Sequence, residues 1–137
     1  MARALLAASL LLAAPALAQD VPRSGDALVR EAARCSGITR AFEAHFLATG
    51  NPDAGEMGLL SATFLDIAER TVRAADVESD ATLDIGEMAN AADVEATELI
   101  DTALNGVTIF IASEANGTLS RLTQFCESLR DIHGTDP

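Results

Sequence analysis

The stretch Gly25–Thr49, GDALVREAARCSGITRAFEAHFLAT, follows a serine that can cap a helix, Ser24, and runs into the helix-ending triplet Gly50-Asn51-Pro52. Leu28, Ala32, Cys35, Ile38 or Thr39, Phe42, His45 or Phe46 and Thr49 recur every three or four positions. That spacing places one apolar stripe on a helix of about seven turns. Cys35 lies in the stripe. The only other cysteine, Cys126, lies in a second stripe with Leu119, Leu122 and Leu129. Together they predict an all-α, up-down four-helix bundle, with one disulfide linking the first and last helices.

The ends set the context. Met1–Ala18, MARALLAASLLLAAPALA, carries one arginine, an apolar run and a small-residue site at Ala16-Leu17-Ala18. It reads as a signal peptide cleaved before Gln19, because Ala4–Ala18 is shorter than the roughly 20 residues of a membrane span. Residues 19–137 then form a single helical bundle domain. Eight arginines remain against 21 acidic residues, a formal charge of −13, compared with −12 for the whole chain. A chain so acidic is a poor ligand for nucleic acid or anionic lipid, and no membrane insertion is expected after cleavage. Lysine, tyrosine and tryptophan are absent and alanine is abundant, a usage associated with high-GC bacteria. The periplasm or the exterior is therefore expected, where two cysteines pair. No Cys-x-x-Cys redox motif occurs. Closing so long a loop stabilises by about 4–5 kcal/mol on the chain-entropy model.

Gln19–Arg23 reads as a frayed leader. Gly37, two residues after Cys35, costs a helix about 1 kcal/mol relative to alanine and so marks a close approach by another helix. A second helix opens at Asn51-Pro52-Asp53, with Asp53 and Glu56 as a capping box. Met57, Leu60, Phe64, Ile67 or Ala68, Thr71 and Ala75 form its stripe, and Asp66–Arg70 and Glu69–Arg73 are ion-pair spacings on its outer face. After the polar connection Asp76–Asp84, a third helix keeps its rhythm from Ile85 to about Ser113. Ile100, Leu104, Val107 and Ile111 widen its stripe, so its latter half is expected to be buried. A break at Asn105-Gly106 is the alternative. Asn116-Gly117 reads as a turn, and Thr118 to about Ile132 as the last helix.

Between Arg73 and Arg121 there is no basic residue, and ten acids fall there. Glu95, Glu98 and Asp101 on the third helix are candidates for docking a basic protein partner, against the plainer reading of a solvated face. Asp76, Glu78, Asp80, Asp84 and Glu87 match five oxygen-ligand places of a calcium loop, but Ala81 stands where that loop needs glycine. His45 reads as a packed histidine and His133 as an end residue. No zinc, haem, phosphate or nucleophile motif is present, so neither an enzyme nor a cofactor is expected.

Arg34-Cys35 on the first helix and Thr118–Glu127, TLSRLTQFCE, on the last resemble small two-cysteine helical periplasmic proteins of unassigned function in Gram-negative bacteria. The resemblance covers the two ends and implies no catalytic residues. The expected function is a non-enzymatic binding or structural role in the cell envelope. Calcium binding through residues 76–87 is the alternative, and oligomeric state is left open.

Overall fold

The apolar rhythms become four helices in a computed structural model that describes residues 21–74 and 84–134. They are α1 (Gly25–Thr49), α2 (Ala54–Arg73), α3 (Ile85–Asn105) and α4 (Ile109–His133). Among the described residues there is no strand. Residues 1–18 and the 75–83 part of the connection, with Asp76, Glu78 and Asp80, lie outside them.

Helix α1 has the predicted bounds, and its end follows from Gly50. With φ at 72°, Gly50 donates its N–H to Leu47 O, while Asn51 N–H reaches Phe46 O at 2.8 Å. Glycine adopts that left-handed geometry without a side-chain penalty, and the two bonds satisfy carbonyls that the helix would leave open. The start differs from expectation. Ser24 is extended and makes no side-chain cap bond. The leader is not frayed at Val21, which is buried, and His133 Nε2–H donates to Pro22 O at 2.8 Å. Asp53 and Glu56 form no capping box; instead Asn51 Oδ1 accepts from Asp53 N at 2.8 Å.

Helix α1 is the axis of the molecule. It packs most extensively on α2 and α3, whereas α4 leans chiefly on α3. Against α3 the contact is made of small residues. A Cβ built on Gly37 would strike the Ala89 carbonyl oxygen and come within 2.9 Å of the Ala92 Cβ. The close approach read from Gly37 is therefore real, and only glycine fits there without moving backbone. Against α2, Ser36 and Ser61 are both buried, and each hydroxyl donates to the other's carbonyl at 3.0 Å. Two helices can come this close only because no larger side chain separates them. The core around this axis includes Val29, Phe64, Ile67 and Leu129, all at most 2% exposed.

The third helix corrects the expected continuity. It stops at Asn105, and α4 starts at Ile109, not at Thr118. Thr108 caps the new helix, its hydroxyl accepting from Ile111 N at 3.2 Å. Gly106 sits where a Cβ would lie 2.6 Å from Thr102 O and 3.0 Å from Ala112 N, so the corner is too tight for any other residue. Asn116-Gly117 lies inside α4 and is not a turn. The apolar period ran on through Gly106 because two successive helices happened to share its phase, and period alone does not report a change of direction.

Cys35 on α1 and Cys126 in the second half of α4 are bonded, with their Cα atoms 5.6 Å apart. The described residues thus make a disulfide-linked four-helix bundle.

Candidate functional site

The corner between α3 and α4 is the most exposed apolar feature among the described residues. Leu104, Val107, Ile109, Phe110 and Ile111 range from 47% to 92% exposed. The expectation that this stretch is buried on much of its circumference is overturned. Among the described residues, none covers these side chains where the chain turns at Gly106. Single exposed apolar residues are ordinary, but several within eight residues at one corner are not.

A shallow depression of about 440 Å³ runs from this corner between α1 and α3. Ala41, Ala44, Ile100 and Leu104 give it an apolar surface, and His45 and Asp101 stand at its edge. Asp101 also accepts a hydrogen bond from Asn105 Nδ2 at 3.0 Å, one turn along the same helix. His45, half-buried, makes a tilted ring contact with Phe46, centroids 6.1 Å apart.

The acidic face of α3 is partly answered from α1. Arg34 approaches Glu95 at 3.8 Å, and Arg40 binds Asp93 at 2.8 Å and Asn90 Oδ1 at 2.6 Å. These cross-helix partners were not legible from the absence of basic residues within α3. The signal was Gly37, since Arg34 and Arg40 sit three residues to either side of it. Glu98, Asp101 and Glu114 form no ion pair among the described residues. Of the three candidate docking acids, Asp101 adjoins the depression, Glu98 lies on the exposed side of α3 and Glu95 faces Arg34. On α2 the Asp66–Arg70 pair forms at 2.7 Å, whereas Glu69 and Arg73 do not pair.

Of the calcium-loop residues, only Asp84 and Glu87 are described. Asp84 caps α3, its Oδ1 accepting from Glu87 N at 3.0 Å. This gives Asp84 a structural role at a helix start, where a carboxylate is favoured by the open N–H groups. Among the described residues no group of three or more His, Cys, Asp or Glu is placed to hold a metal ion.

A second, more enclosed cavity of about 170 Å³ lies between α1, α2 and α4, beside Cys126. Ile38, Phe42, Met57, Leu60 and Phe64 form its apolar wall. Asp53, Glu56, Glu127 and Arg130 are the charged residues at its boundary. The sequence reads Asp53 and Glu56 only as a helix cap and does not mark Glu127 or Arg130, because the four come together only when α4 is laid against the α1–α2 pair.

No described helix is long and apolar enough to cross a membrane. Comparison with protein-family models, curated proteins and solved structures finds no match.

Proposed function

We propose that this chain is an exported, non-enzymatic up-down bundle of the bacterial cell envelope that binds a protein partner through the α3–α4 corner. The carrying observation is the exposed apolar cluster Leu104, Val107, Ile109, Phe110 and Ile111. Its surroundings favour a partner with an apolar concavity and a basic rim. Glu98, Asp101 and Glu114 flank the corner without ion-pair partners among the described residues, and charge complementarity steers and registers such contacts. A second copy of the chain would bring the same negative charge to the interface, which disfavours self-association.

The up-down course is supported by residue pairs across elements: Ser36 with Ser61 and Glu43 with Gly58 for α1–α2, and Cys35 with Cys126 together with Pro22, just before α1, with His133 for α1–α4. Export to an oxidising compartment is supported by the disulfide and by the Met1–Ala18 pattern.

The test compares the chain with its Val107→Ser/Phe110→Ser variant. Both replaced residues are exposed, so the fold should be retained. Envelope proteins captured by the chain should be lost by the variant, and Glu98→Gln/Asp101→Asn should weaken capture most at low salt. Equal capture by the serine variant would refute the corner as the contact. Sedimentation as a dimer that the same variant dissolves would make the occupant a second copy.

A further inference from the structure

The cavity between α1, α2 and α4 combines a body-binding wall with a charged mouth. Ile38 and Phe64 are buried, and Phe42, Met57 and Leu60 are half-buried around the same space. Its volume of about 170 Å³ is close to the ~150 Å³ of an apolar cavity that takes up benzene. It therefore suits one ring or a short branched chain and is too small for a drug-sized molecule.

The mouth decides the charge of what enters. Asp53, Glu56 and Glu127 form no ion pair and accept no side-chain hydrogen bond among the described residues. The Asp53 side chain makes no cap bond to its own helix. Arg130 is the one cation lining this mouth among the described residues, and its Nη2 lies 3.3 Å from Asp131 Oδ1. Three unpaired carboxylates against one paired guanidinium leave the opening negative, on a chain that is itself at −12. A cation gains from that field while an anion is repelled.

We infer that this cavity is a binding site for a small amphiphilic cation, with an aromatic or branched-alkyl body and an ammonium head. The body fills the space between Phe42, Leu60 and Phe64, and the head stays at the mouth among Asp53, Glu56 and Glu127. This site is separate from the α3–α4 corner, so either can fail without the other.

The experiment titrates the disulfide-bonded chain with phenethylamine, 3-phenylpropionate and toluene, which share a body of similar size and differ in head charge. Binding is followed by calorimetry and by the NMR signal of the Met57 methyl group. The amine should bind saturably and move the Met57 signal, toluene more weakly, and the carboxylate least. Glu56→Gln and Glu127→Gln change exposed side chains and should leave folding intact. Each should weaken the amine by up to about fivefold while leaving toluene unchanged. Leu60→Trp should fill the space and abolish amine binding, with helical content checked in parallel. No saturable amine binding, equal binding of amine and carboxylate, or amine affinity unchanged in both glutamine variants would each overturn the assignment. Preference for the carboxylate would give the mouth to Arg130 instead.

Discussion

Helices α1 and α4 are both 25 residues long and both carry an apolar stripe with one cysteine, yet they occupy very different places. Ten residues of α1 are buried, against four of α4: Ala115, Leu119, Cys126 and Leu129. The difference lies in side-chain size. Helix α1 presents Ala33, Ser36, Gly37 and Ala41, so two neighbours can approach it from different sides. Helix α4 presents Leu119, Leu122, Phe125 and Leu129, which fill one contact and hold other backbones away. Small residues make a helix central, and large ones let it pack on one face while the rest meets solvent. The disulfide then fixes the less buried helix to the more buried one.

The sharpest way to break this contrast is to remove the covalent link. Cys35→Ala/Cys126→Ala should lower stability by about 4–5 kcal/mol at most on the chain-entropy model, with helical content kept. Amide exchange should show α4 losing protection first and α1 last. Equal loss in both helices would mean that α4 is as deeply integrated as α1. A smaller effect is expected at the α1–α3 contact. Gly37→Ala gains about 1 kcal/mol of helix propensity but puts a Cβ onto the Ala89 carbonyl. Overpacking of this kind costs about 1–3 kcal/mol, so thermal unfolding should show a net loss. A more stable variant would show that α1 and α3 can separate freely. The smallest effect concerns the corner where α4 begins. Thr108→Ala removes the hydroxyl that accepts from Ile111 N and should cost about 1 kcal/mol, seen as faster exchange at Ile109–Ala112. Unchanged exchange there would mean that Gly106 alone sets the corner.

Where the sequence reading failed, it did so through local signals that only packing can rank. Ser24 and the Asp53–Glu56 pair have cap chemistry, but neither side chain makes a cap bond, while Thr108 and Asp84 do. Asn105-Gly106 and Asn116-Gly117 are the same dipeptide. One closes α3 and the other lies inside α4. Asn-Gly makes a turn affordable without requiring one. Leu104–Ile111 reads as core because it is apolar and in phase, yet hydrophobicity does not report whether a neighbour reaches that far.

The sequence by itself determined four things: the helical class, the bounds of α1, the close approach at Gly37 and the pairing of two cysteines in apolar stripes. The first three rest on short-range chemistry, namely side-chain period, the left-handed conformation open to glycine and the missing side chain at Gly37. The fourth rests on a two-cysteine chain whose leader pattern reads as export to an oxidising compartment. Only the tertiary structure decided where α3 ends, which apolar residues stay exposed, which arginines answer the acids of α3, and that Asp53, Glu56, Glu127 and Arg130 share one mouth. Those depend on distances between residues far apart in the chain. Such distances follow from how closely the backbones can approach, which is a property of pairs of helices and not of any one of them.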